Sequence, residues 1–133
     1  MPKPDLLLGE ECRVSMLRGF NSMGRLLALT LGPVGGRICN QREGSKEIEL
    51  LNDAATIARR VLQLPDRSED AGAMMMRHIV WHMRQSVGDG SATTAVIAQA
   101  TAYEMQKLIA AGANAMILRR GIEKAVSVAL REL

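Results

Sequence analysis

At 133 residues the chain has the length of one ordinary domain, and a compact chain of this size buries roughly two-thirds of the surface exposed by its unfolded form. Hydrophobic residues make up 47%, but a single Trp, Tyr and Phe leave the core to Leu, Ile, Val, Ala and nine Met, a composition that favours packed helices over a β-sandwich. The formal net charge is +3, with 17 basic and 14 acidic residues interspersed. So few aromatics exclude a stacking platform for single-stranded nucleic acid. The apolar run from Leu6 to Leu8 is too short for a signal-peptide core or a transmembrane helix. Neither nucleic acid nor membrane is an expected partner, and the expected compartment is the cytoplasm.

From about Glu11 to Leu31, Met16, Phe20, Met23 and Leu27 recur at helical spacing, with Leu17, Leu26 and Leu31 widening the stripe, which predicts a long amphipathic helix. Gly32-Pro33 ends it, because Gly tolerates the left-handed cap position and Pro cannot continue the hydrogen-bond ladder. Gly35-Gly36 extends the break into a flexible loop. Arg37-Ile38-Cys39 and the segment Glu47 to Leu50 flank the polar Arg42-Glu43-Gly44-Ser45 and read as a small β-hairpin. Asn52-Asp53 precedes a short helix over Ala54 to Leu62, and Pro65 closes that unit.

A second long helix is expected to start near Ser68, capped by its hydroxyl and favoured by Glu69 and Asp70 in the first turn. Its stripe runs Met76, Ile79 or Val80, Met83 and Val87. Gly88-Asp89-Gly90 interrupts it before a third helix from Ser91 to Ala111, ended by Gly112. Asn114 caps a fourth, whose Leu118, Ile122, Ala125, Ala129 and Leu133 keep a 3-and-4 spacing to the last residue. A stripe that runs to the last residue suggests a piece of something longer.

The stretch Gly88-Asp89-Gly90-Ser91-Ala92-Thr93-Thr94 places glycines, a carboxylate and hydroxyls at a helix start. Free amides and the helix dipole make such a start an anion site, and glycines let a phosphate approach the backbone. Asp89 would hold Mg²⁺, which removes the repulsion between a carboxylate and phosphates. Taken alone, the same stretch also reads as a glycine-containing turn between helices with Asp, Ser and Thr as caps.

Set together, three segments resemble the N-terminal nucleotide-binding segments of GroEL-type group I chaperonins, in order and at matching spacing. They are Thr30-Leu31-Gly32-Pro33-Val34-Gly35-Gly36-Arg37, Asn52-Asp53-Ala54, and Gly88 to Thr94. Ala110 to Met116 and Leu118 to Val126 are also similar to that family, so the resemblance runs from about Asn21 onward. It implies a mainly α fold: the long antiparallel helices of an equatorial domain with a small β-hairpin, residues 1–133 forming the N-terminal segment of that domain. The intermediate and apical domains would lie outside this chain.

The resemblance further implies ATP and Mg²⁺, with K⁺ a candidate, as cofactors. Thr30, Leu31, Gly32 and Pro33 would wrap the phosphates. Asp89 would ligate Mg²⁺, and Gly90, Ser91, Ala92 and Thr93 would line the phosphate site. Asn52 stands where the family has a lysine, and Asp53 matches the catalytic carboxylate that positions the attacking water. A second catalytic aspartate and the adenine contacts are expected outside this chain. The implied partners are further copies in a ring, unfolded polypeptide clients and a co-chaperonin.

The sequence departs from that pattern in four places. Ala54 replaces a glycine, at a cost of about 1 kcal/mol if the position needs positive φ. Ala92 lacks a hydroxyl, Val34 stands where lysine is common, and Gly35-Gly36 carries an extra residue. The alternative function is therefore a non-catalytic helical assembly or interaction module derived from a chaperonin. A metal-dependent hydrolase built on His78 and His82 is remote, because no HExxH pattern or third ligand accompanies them. A P-loop enzyme is excluded by the absence of its motif. Cys12 and Cys39 read as free thiols, Met74-Met75-Met76 as core filling, and Arg119 and Arg120 as a solvated face partnered by Glu123.

Overall fold

The structure, a computed structural model, describes residues 6–41, 44 and 46–133. Its elements in chain order are helix α1 (Gly9–Ala28), strands β1 (Ile38–Gln41) and β2 (Ile48–Leu51), and helices α2 (Ala54–Arg60), α3 (Asp70–Ser86), α4 (Ser91–Ala110) and α5 (Ala115–Glu132). The fold is mainly α with one small hairpin, as expected from the sequence. Residues 1–99 and 100–133 form two compact units.

The core belongs to the first unit. Phe20, Met23 and Leu27 from α1 are buried with Leu51, with Ala54, Ala55, Ile57 and Ala58 of α2, and with Ala73, Met76 and Val80 of α3. Of the three consecutive methionines only Met76 is fully buried, while Met75 is half exposed, since successive helical positions point 100° apart. Gly19 and Gly72 lie where α1 and α3 meet, and Gly24 lies against the Met76 side chain. Contacts that advance along both helices together show that α1 and α3 run in the same sense. They are not consecutive in the chain, and the hairpin and α2 carry it back between them, so the antiparallel expectation does not extend to this pair.

The hairpin pairs Ile38 with Leu51 and Gln41 with Ile48 in antiparallel register. The expected turn at residues 42–45 lies outside the described residues apart from Gly44. Arg60 of α2 holds the Glu49 carboxylate of β2 through two guanidinium nitrogens, with Nε donating at 2.8 Å.

Three local expectations need correction. Ser68 does not cap α3: its hydroxyl and its amide both donate to Asp66 Oδ1, at 2.8 and 2.9 Å, and the helix begins at Asp70 with no side-chain cap. The Asp66 carboxylate holds Ser68 in a local turn of its own, and Glu69 takes the N-cap position instead. The α2 helix ends at Arg60 rather than Leu62, since Val61 has already turned extended. The 30–36 loop is also not an open flexible tether. Thr30 and Leu31 tighten the end of α1 with bonds to the carbonyls three residues back, and the Gly36 amide returns to the Leu29 carbonyl at 2.7 Å.

In the second unit, Gly112 (φ +91°) closes α4 in a Schellman arrangement. Its amide donates to Ile109, and that of Ala113 to Leu108. Asn114 caps α5 as expected, its Oδ1 accepting from the Met116 amide at 2.8 Å. No residue in 100–133 is buried. Among the described residues, no helix is long and apolar enough to cross a membrane.

Candidate functional site

The shared sense of α1 and α3 sends their C-terminal breaks, the loop after Ala28 and the Gly88-Asp89-Gly90 turn, toward the same end of the first unit. Gly32 (φ +104°), Gly88 (φ +89°) and Gly90 (φ +77°) all take the left-handed conformation. A side chain at Gly32 or Gly88 would meet no other atom within 4 Å, so handedness rather than crowding demands glycine there. Leu31, Gly32, Pro33 and Asn52 are exposed, and Thr30 is half-buried with its hydroxyl donating to the Leu27 carbonyl at 2.8 Å.

Asp53 is the N-cap of α2. Its Oδ2 accepts from the Thr56 amide at 2.9 Å and from the Thr56 hydroxyl at 2.7 Å. Partial burial pushes its carboxyl up, but the Thr56 donors, the Arg84 guanidinium and the Ala55 amide outweigh that, and the net effect holds the group below its usual 3.8. It is therefore a carboxylate at neutral pH. Ala54 heads α2, buried, and no described residue other than glycine has positive φ. The methyl group at Ala54 thus adds no backbone strain.

Arg84 in the last turn of α3 links the two acidic positions. It lies near enough to Asp53 to act on its charge, and Nη1 donates to the Gly88 carbonyl at 2.6 Å. Asp89 is exposed, with Oδ1 accepting from the Gly90 amide at 2.7 Å. Ser91, the first residue of α4, is only 5% exposed, and its Oγ is the buried side-chain oxygen left without a hydrogen-bond partner among the described residues. Ala92 is partly covered and Thr93 exposed. The α4 helix is tied to α1 by Gln99 Nε2, which donates to the Asn21 carbonyl at 3.3 Å.

An orphaned, buried hydroxyl beside free helix amides and two left-handed glycines fits an oxyanion ligand, because desolvation without a partner is costly. The exposed carboxylate of Asp89 is the type of oxygen ligand a hard divalent cation takes. Sequence reasoning alone missed Arg84 and Thr56. Arg84 had one available signal, its position four residues before Gly88 in a helix's last turn. The two histidines, by contrast, are both exposed, and no group of three metal-ligating residues occurs among the described residues.

Residues 23–133 match the model of the TCP-1/cpn60 chaperonin family. The chain belongs to that family, and its role is chaperonin-related.

Proposed function

We propose that this chain carries the phosphate- and Mg²⁺-binding part of a chaperonin's ATP site, at the end of the first unit where Gly88-Asp89-Gly90 leads into α4. The observation that carries this reading is the unpartnered, buried Ser91 hydroxyl at the head of α4, beside glycines that alone permit the turn.

In this reading the free amides of Ser91, Ala92 and Thr93 point their dipoles at the phosphates, and Ser91 donates its hydroxyl proton to a phosphate oxygen. The Asp89 oxygens hold the cation, which when bound neutralises phosphate charge. Asp53, kept ionised by Thr56 and Arg84, accepts a hydrogen bond from the attacking water and orients it. The Thr30–Pro33 segment covers the phosphates from the α1 side, while Asn52 contributes a neutral amide to the cation environment. Ring assembly with further copies, polypeptide clients and a cytoplasmic setting complete the proposal.

The test is equilibrium dialysis of the chain against labelled Mg-ATP, with Asp89→Ala and Ser91→Ala beside it. Binding weakened about tenfold or more in each variant is expected, the effect of losing roughly 1.4 kcal/mol of contact. A folded chain that binds no Mg-ATP at millimolar concentration would instead favour the non-catalytic assembly module.

A further inference from the structure

The face where α2 meets α3 holds a concave feature that uses none of the residues proposed for phosphate or Mg²⁺. A cavity of about 450 Å³ is lined by Arg59, Met74, Arg77, His78 and Trp81. Four of these come from α3 at positions 74, 77, 78 and 81, which share one helix face, and Arg59 reaches over from α2. Its guanidinium lies on the Trp81 ring, 4.5 Å from the centroid. That stacking orients a flat, charged fork and leaves its edge N–H groups for another acceptor. Arg77 is spent only lightly: Nη1 lies 3.5 Å from the Val61 carbonyl and 3.8 Å from Met74 Sδ, both at the limit of useful donation.

The lining residues thus bring two guanidinium groups, an imidazole and an indole ring, and they include no carboxylate. The ion pairs between described residues engage Arg13, Arg60, Lys107 and Arg119, not Arg59 or Arg77. Like charges gathered around a partly apolar hollow repel one another, and an oxyanion bound between them would relieve that repulsion. The volume falls in the range of small-ligand sites, in which an apolar wall and a few convergent polar groups do the recognition.

We propose that this cavity is a second ligand site, which takes a small organic anion: a carboxylate or phosphate group carried on a flat apolar body. The oxyanion sits between the Arg59 and Arg77 forks, each of which can offer paired N–H donors to two of its oxygens, whether planar carboxylate or tetrahedral phosphate. The apolar body lies along Met74 and the edge of Trp81. The site is independent of the ATP reading, since neither shares a residue with the other.

Trp81 is the sole tryptophan of the chain, so its indole N–H resonance reports on this cavity alone. Titration with benzoate, phenyl phosphate, inorganic phosphate and benzylamine, followed by NMR, tests the site. Benzoate or phenyl phosphate should shift the resonance saturably, and the stronger of the two identifies the preferred oxyanion. Inorganic phosphate should bind about tenfold more weakly or worse, and benzylamine should not bind. Arg77→Ala should weaken the anion by about tenfold, with Arg77→Lys between it and the parent and an otherwise native spectrum in both. A shift that never saturates, an equal response to benzylamine, or unchanged binding in a folded Arg77→Ala chain would overturn the proposal. So would saturation by a tetraglutamate peptide when neither aryl anion binds.

Discussion

Gly19 of α1 and Gly72 of α3 each sit against the other helix's backbone. A methyl group on Gly19 would lie 1.9 Å from the Glu69 carbonyl oxygen, and one on Gly72 would lie 1.7 Å from that of Met16. Neither glycine has positive φ, so each is required for close approach and not for handedness. This crossing brings α1 and α3 together in the sense that sends both glycine breaks to one end.

Gly19→Ala and Gly72→Ala should each destabilise the chain by about 3 kcal/mol, because the obstructing atoms belong to the backbone and the helices must separate. Urea denaturation followed by circular dichroism measures this. Gly121→Ala, in α5 with nothing within 4 Å, is the control and should be neutral or slightly stabilising.

Ser91→Ala should act in opposite directions on stability and on ligand binding. In the free chain it removes a buried hydroxyl without a partner, so stability should hold or rise by up to about 1 kcal/mol. Mg-ATP affinity should fall. Loss of stability in the free chain would show that the hydroxyl is already satisfied, for instance by water.

Asp53 should make folding stability fall in acid. Its folded-state value lies below the usual 3.8, so its contribution is fully present above that value and is lost as the pH drops through the depressed one. Asp53→Asn should flatten this limb of the profile. Arg84→Gln should move the Asp53 carboxyl back toward its ordinary value, read from its side-chain carbon resonance during an NMR titration. Asp53→Ala should also cost about 1 kcal/mol as a lost helix cap.

The 30–36 loop should be ordered before any ligand arrives. The Gly36 amide, bonded to Leu29, should exchange with solvent more slowly than the amides of Gly32 and Val34. A methyl group at Gly35 would lie 2.7 Å from the Thr30 carbonyl oxygen, so Gly35→Ala should erase that protection.

This 133-residue chain, assayed by itself, should show no useful ATP turnover, because a second catalytic carboxylate and the adenine contacts are expected from outside it. Robust Mg-ATP hydrolysis abolished by Asp53→Ala or Asp89→Ala would show that the groups present are sufficient.

Local signals were enough to read the helices, their breaks and the hairpin. Apolar spacing from Met16 to Leu27, the glycines at 32, 88, 90 and 112, and Asn114 before α5 act within a few residues of themselves, so sequence order carries them. Of the residues proposed for phosphate and Mg²⁺, only Gly88 to Thr94 carry a local signal, glycines and hydroxyls at a helix start; Thr30 to Pro33, Asn52 and Asp53 are singled out by the family resemblance. Tertiary structure alone decided which of those segments share an end, because the sense of α1 against α3 depends on how the intervening hairpin and α2 return the chain, while Gly19 and Gly72 set only where the two backbones touch. It also selected Val80 over Ile79 for the core, set Arg84 between Asp53 and the Gly88 turn, and folded Gly35-Gly36 back onto α1. Each of these depends on the approach of groups distant in sequence or on the path of a loop through space, and apolar periodicity records neither.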